Sequence, residues 1–440
     1  MRRRSLALIL PVLALADVAA RAEIRWQPRA TLELGVDSFA QIYRLTDLAD
    51  ESILGGENTL RTETDVFTEM RAAAEFGLRI GDERERGDLR TRLSYGTDTL
   101  RGDAEARFDL RGERHRLDTQ FELEGRRFRD ESDFTLNSDF GELRSRSHWR
   151  FAANDRWDLG VRVRGRLTRY DRPSAFELDH ERLDVSLTSQ TRGDLGQWFD
   201  LEAGIGRQWA DTFDAPATDP ADGIVSILGF DRFFALAEWA YDTGGRWRVG
   251  IAQWIERRDY DDEDQRSSLW DVVLEPEVRF RLDDDWELRW RSGIEWLDYD
   301  TSSETYYDLA LGRTGVGLAR RWRTFEWSVE PRLAWLSTPV PNEDEYLQPS
   351  LAVTFDGFGG DRFFVSITEE VGHRDYREPT ADALDLYSDY WFLRSTILAS
   401  VKIVEGTSLE FFLSDEPESH RDEEDDARLT LVTATLRVRF

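Results

Sequence analysis

The 440-residue chain has no cysteine, two methionines and a single lysine, Lys402. Without cysteine there is no disulfide, no thiol chemistry and no cysteine-based metal site. Long apolar runs are scarce as well. Only residues 6–16 approach one, and Pro11 and Asp17 break it, so no α-helical membrane span is expected. A net positive charge is also missing: the formal charge is −30 at pH 7, which argues against nucleic acid as a partner because phosphate would be repelled. The chain contains no G-x-S-x-G, no H-E-x-x-H and no glycine-rich phosphate loop. Its acidic runs, such as Asp261-Asp262-Glu263-Asp264, Glu343-Asp344-Glu345 and Glu423-Glu424-Asp425-Asp426, lack the EF-hand pattern and read as solvated surface. Among the few histidines only His180, between Asp179 and Glu181, has a charged setting, and a lone histidine in a strand reads as wall. The expectation is a chain that is not an enzyme and carries no cofactor and no metal.

What the chain does have is aromatic residues, 16 Trp, 12 Tyr and 25 Phe, set in a sequence of low mean hydropathy. Its front end reads as a secretory signal. Arg2, Arg3 and Arg4 form a basic region, an apolar region follows, and Ala20-Arg21-Ala22 is a small-residue cleavage site. The organisation expected is therefore a signal peptide, 1–22, cleaved after Ala22, and one domain, 23–440.

Within that domain the hydrophobic pattern has period 2. In Trp286 to Tyr299, Trp286, Leu288, Trp290, Ile294 and Trp296 share one face, and Glu287, Arg289, Arg291 and Glu295 the other. Trp157 to Tyr170 sets Leu159, Val161, Val163 and Leu167 against Arg162, Arg164, Arg166 and Thr168. Leu269 to Leu282 sets Trp270, Val272, Leu274, Val278 and Phe280 against Glu275, Glu277, Arg279 and Arg281. Charges of both signs on every second residue would ruin a helix face but suit a strand with one wet side. Such strands recur about twenty times; the third (87–97) and fourth (103–111) are weak, which leaves eighteen as the alternative. Segments 45–63 and 415–426 read as loops, and Pro276, Pro331 and Pro349 as bulge markers, since proline removes a ladder donor.

Turns alternate between short and long. After each short turn comes an aromatic: Trp157, Trp198, Trp247, Trp286, Phe325 and Phe363, about forty residues apart. Thirteen residues beyond several of these lie Tyr170, Tyr260, Tyr299 and Tyr376. Thirteen residues of strand tilted by ~40° rise roughly 33 Å, one crossing of a membrane with its interfaces. The first row reads as an interfacial girdle. Thirteen is odd, so the tyrosines face the wet side unless bulges turn them outward into an upper girdle. Wet-facing rings could stack on sugars. The arginine rows could form a ladder that guides an anionic solute, or simply pair with carboxylates on neighbouring strands. The run at 223–230, apolar within the longest central loop, reads as a constriction or as an extension of the next strand.

The chain ends in Leu436-Arg437-Val438-Arg439-Phe440, alternating to its last residue. This segment resembles the C-terminal signal of bacterial outer-membrane β-barrel proteins. The resemblance implies an all-β, closed antiparallel transmembrane barrel with short periplasmic turns and longer extracellular loops. It implies that Leu436, Val438 and Phe440 are read by the barrel assembly machinery and that the last strand closes against the first. It places the protein among lipopolysaccharide and lipid of the outer membrane. No subfamily is indicated, and nothing resembles the plug domain of TonB-dependent transporters. The function implied is a porin-like pore for hydrophilic solutes, anionic or saccharide. A polysaccharide-export barrel with periplasmic partners and a structural or adhesin barrel with a blocked lumen are the alternatives.

Overall fold

A computed structural model describes residues 29–47, 59–81, 85–97, 99–128, 139–171, 179–193, 196–210, 229–242, 244–261, 267–302, 307–339, 345–360, 362–377, 389–420 and 426–439. Period-2 segments become twenty antiparallel strands. They are β1 (Arg29–Asp47), β2 (Thr59–Gly81), β3 (Glu85–Gly96), β4 (Thr99–Arg111), β5 (His115–Phe128), β6 (Phe140–Asn154) and β7 (Trp157–Tyr170). Then come β8 (His180–Arg192), β9 (Gln197–Ala210), β10 (Phe230–Asp242), β11 (Trp247–Tyr260), β12 (Leu269–Arg281), β13 (Trp286–Tyr299) and β14 (Leu309–Trp322). The last are β15 (Phe325–Ser337), β16 (Tyr346–Phe358), β17 (Phe363–Tyr376), β18 (Tyr390–Val404), β19 (Thr407–His420) and β20 (Ala427–Arg439).

Each strand pairs with its neighbours in sequence, and β20 pairs with β1, so the sheet is closed. Leu32 lies opposite Val438 and Leu34 opposite Leu436 across that seam. Phe440 lies outside the described residues. Twenty strands at ~4.8 Å spacing and ~40° tilt enclose a cylinder on the order of 40 Å across, too wide for wall side chains to fill.

Side chains on the concave face of a closed sheet converge, and those on the convex face diverge. In the middle of the wall, away from the strand ends, ion pairs that skip a strand therefore mark the inner face. Arg291 of β13 reaches Glu330 of β15 at 2.8 Å, and Arg313 of β14 reaches Glu275 of β12 at 2.5 Å. Alternation then puts Leu159, Val163, Leu187, Ile205 and Trp290 on the outer face, where all are exposed. The outer face is apolar and the inner face charged, the reverse of a water-soluble barrel.

Connections at one end are short: 155–156, 323–324 and 405–406 are two residues each, and 112–114 is three. Arg323 has φ 54° in one of them, the left-handed backbone that such tight hairpins require and glycine usually supplies. At the other end 129–139, 211–229 and 377–389 are long, while 97–98 is short.

Several sequence expectations are corrected. The third and fourth strands are regular, paired throughout from Glu85↔Leu110 to Tyr95↔Leu100, so the eighteen-strand alternative falls. β2 begins at Thr59 and β19 runs to His420, inside segments expected to be loops. No register shift occurs at Pro276, Pro331 or Pro349. Among the described residues, register shifts lie between Ala152 and Asn154 and between Lys402 and Val404, beside tight turns. Proline keeps its place because its ring points to the outer face and only one neighbouring ladder lapses beside it. Around Pro276 the pairing to β13 skips from Leu274↔Ile294 to Glu277↔Arg291 in unchanged register.

Candidate lumenal site

Trp157, Trp247, Trp286, Phe325 and Phe363 each open a strand at the short-turn end and face outward. They are braced by outward neighbours: Trp247 lies 4.3 Å from Phe280 between ring centres, and the Trp157 indole donates to Ser189 Oγ at 2.8 Å. Trp198 differs. It is the second residue of β9, so it shares the inner face with Asp200 and Glu202, and Phe199 takes the outward position. The spacing of the aromatics gives their level along the wall; the residue that opens the strand decides their side.

The lumen-facing candidates fall into two groups on separate parts of the wall. In β12 and β13, Glu275, Glu277, Glu287, Arg279, Arg281, Arg289 and Arg291 share the inner face. Arg289 sits between Glu287 at 2.5 Å and Glu326 at 2.6 Å. Arg291 pairs with Glu330 at 2.8 Å, Glu275 with Arg313 at 2.5 Å, and Glu277 with Arg279. Arg281 stands at the exposed end of β12. This group is charge-balanced.

The second group is on β6 to β9. Arg162 and Arg164 of β7 both bind Glu202, the latter at 2.7 Å, and Ser186 Oγ donates to the same carboxylate at 2.7 Å. Arg166 binds Glu142 at 2.6 Å, and Arg144 binds it too. Asp184 takes Arg182 at 3.2 Å and Arg232 at 3.7 Å. Each carboxylate here serves two guanidinium groups. Sequence reading picks out Arg162, Arg164 and Arg166 but misses Arg144, Arg146, Arg182 and Arg232. The alternation Arg144-Ser145-Arg146-Ser147 carries the same signal as the β7 row.

The tyrosines at the long-loop end face inward with these charges, because their strands carry no bulge. They pack on one another. Tyr260 joins Phe230 and Leu269, with Leu297 and Tyr299 against them; Tyr376 joins Tyr390 and Phe392, with Tyr346 beside them. Tyr170 faces Phe140 at 6.2 Å. Arg374 lies 4.3 Å over the Tyr346 ring and 5.3 Å from Tyr390. Tyr260 and Tyr376 are 7% and 8% exposed, which leaves them little open face on which a sugar could stack. Phe230 is the end of the apolar run at 223–230; residues 223–228 lie outside the described residues.

On the outer face at the same end, ion pairs mark where the apolar band stops. Arg169 meets Glu181 at 2.5 Å, Arg207 meets Asp261 at 2.7 Å, and Arg257 meets Asp300 at 2.5 Å. Beyond the strands, Glu345 accepts from the Thr338 amide at 2.9 Å and from Arg377 at 2.6 Å, clasping the residues that follow β15 and β17 to the one that precedes β16. The Thr338 amide lowers its pKa most; burial opposes this and Arg377 adds to it. A depressed folded pKa stabilises the clasp at neutral pH and loses that stabilisation as pH falls through and below the ordinary carboxylate range. Exchange of the Thr338 amide, corrected for its intrinsic rate, is expected to accelerate on acidification. Glu345→Gln should exchange fast at neutral pH and show no acid step; an unchanged rate in that variant would remove the clasp.

No protein-family model matches the chain, and no curated protein matches its sequence. Solved structures do match its fold. An iron transporter of Neisseria meningitidis, FrpB, superposes with TM-score 0.57 at 10% identity, covering 97% of this chain and 84% of that one. The copper transporter OprC gives TM-score 0.56 at 8% identity, over 94% and 80% of the two chains. The alcaligin outer-membrane receptor FauA of Bordetella pertussis gives 0.51 at 10% identity, over 92% and 76%. At these identities the likeness is one of fold: the chain is a closed barrel resembling bacterial outer-membrane receptors.

Proposed function

We propose that the chain is an outer-membrane transport protein that passes a small hydrophilic solute through a charged lumen. The observation that carries this reading is the wall itself, apolar outside, ion-paired inside, and wide enough that its own side chains leave a path. Its structural neighbours, an iron transporter, a copper transporter and an alcaligin outer-membrane receptor, favour transport. In this reading residues 1–22 direct export and are cleaved after Ala22. Leu436, Val438 and Phe440 engage the barrel assembly machinery, and the outer face meets lipid and lipopolysaccharide. The chain is not an enzyme in this reading. Between the two solute classes expected from sequence, the buried tyrosines weigh against saccharide stacking.

Reconstitution of the mature barrel into planar bilayers and liposomes tests the proposal. Stepwise conductance and osmotic swelling with a small sugar such as arabinose are expected. A folded, heat-modifiable barrel that gives neither would overturn the pore.

A further inference from the structure

We propose that the inner wall of β6, β7 and β8 is an oxyanion-binding site, which takes a solute rich in phosphate or carboxylate oxygens. It deepens the transport reading and rests on it for the solute's route.

Strand register sets arginine directly against arginine three times on this face. Arg144 lies opposite Arg166, Arg146 opposite Arg164, and Arg166 opposite Arg182. Like charges directly opposed across a sheet are destabilising, and a concave face brings their ends closer still. The local carboxylates relieve this only in part: Glu142, Glu202 and Asp184 are each shared by two arginines, and although Arg144 also comes within 3.7 Å of Glu122 and Glu124 and Arg232 meets Glu256 at 2.9 Å, none of these reaches Arg146. Arg146 has no ion pair among the described residues. Arg232, in the wall of the recess that these side chains line, buries an Nε–H with no acceptor among the described residues. Arg146 and the Arg232 Nε–H thus keep unused donors of the group that binds phosphate and carboxylate in pairs.

The side chains line a recess of about 660 Å3. Arg144, Arg146, Arg164, Arg166, Arg182 and Arg232 contribute to its wall, and arginines outnumber carboxylates there by more than two to one. This stands out in a protein whose net charge is −30. The comparison within the molecule is sharper. Arg289 on β13 is held between two carboxylates, Glu287 and Glu326, and Arg279 and Arg291 each have one, although Glu326 also takes Arg321 and Glu330 also takes Arg332. The two arginine rows look alike in sequence, but in the β12–β13 row the arginine without an ion pair among the described residues is Arg281, at the exposed turn end of β12, whereas in the β6–β8 row it is Arg146, inside the recess. A multiply charged oxyanion in the recess would bridge the opposed arginines and take up the free ones.

The test is calorimetric titration of inorganic pyrophosphate into the refolded mature barrel in detergent, with sodium chloride at matched ionic strength and glucose as controls. Saturable pyrophosphate binding is expected, weakening as salt rises. Arg146→Gln with Arg182→Gln should weaken it by about tenfold or more, in line with the loss of a charge-assisted contact. Arg289→Gln should leave it unchanged. If the double variant does not fold, Arg146→Gln alone serves, since removing Arg146 orphans no carboxylate. Absence of saturable binding in the folded barrel, or equal weakening by Arg289→Gln, overturns the site. A barrel that conducts without binding pyrophosphate keeps the transport reading and loses the site. One that binds without conducting keeps the site and loses the transport reading.

Discussion

Val161→Arg is expected to destabilise the folded barrel by about 2–4 kcal/mol, the cost of a cation on the lipid face near mid-strand. Val161 lies in β7 between Trp149 of β6 and Leu187 of β8, all on the outer face. Both residues directly opposite it are apolar, so the guanidinium would have to stretch toward an interface. The next residue, Arg162, points into the lumen, where sequence alone makes substitution look mild. The structure revises that. Arg162 shares the buried Glu202 with Arg164 and Ser186, so Arg162→Ala should cost about 1–2 kcal/mol, the loss of one of several charge-assisted contacts. Arg146→Gln, on the same inner face without an ion pair, should stay within about 0.5 kcal/mol of the parent. A urea titration of refolding, read as heat-modifiable migration, ranks the three. If Arg146→Gln costs as much as Val161→Arg, the faces have been assigned wrongly.

How much of this was legible beforehand depends on the range of the interaction concerned. The alternation Leu159, Val161, Val163 against Arg162, Arg164, Arg166 is a local property, and it gives strand, face and barrel together. Trp198 shows the first limit. Its spacing from Trp157 and Trp247 gives its level on the wall, but β9 opens one residue earlier, at Gln197, and a single residue reverses a side chain's direction. β19 shows the second. Ser414-Asp415-Glu416-Pro417-Glu418-Ser419 reads as loop because it is acidic and holds proline. In the sheet, Asp415 meets Arg428 of β20 at 2.8 Å and Glu416 meets Arg394 of β18, so the charges have partners that only pairing reveals. The third limit is the division between the two arginine rows. It is decided by carboxylates two strands away, Glu202 for one row and Glu326 and Glu330 for the other. Which carboxylate comes level with which arginine is set by register and shear, which the period-2 pattern does not contain.

The same long-range logic makes Glu33 the most sensitive inner-face carboxylate at the seam. Glu33 is 3% exposed and accepts from Arg92 of β3 at 2.5 Å and Arg437 of β20 at 2.7 Å. Arg437 also holds Glu410 of β19 at 2.8 Å, so one chain of charges ties β1 and β3 to the last two strands. Elsewhere a strand pairs with the segment next to it in sequence. Here the partners are 404 residues apart, and the entropy of bringing them together is met only on closure. Glu33→Ala leaves Arg92 without this acceptor and Arg437 with Glu410 alone. Breaking a buried pair from one side costs about 3–5 kcal/mol, and that loss is expected in the same refolding titration. Arg437→Ala should cost less, because Glu33 keeps Arg92. The double variant should cost less than the two single losses added, since the residues share one interaction. The deficit should also appear in kinetics: folded, heat-modifiable barrel should form more slowly from Glu33→Ala, while strand content by circular dichroism develops at the parent's rate. Stability within about 0.5 kcal/mol of the parent would show that the backbone ladder between β1 and β20 holds the seam without its charges.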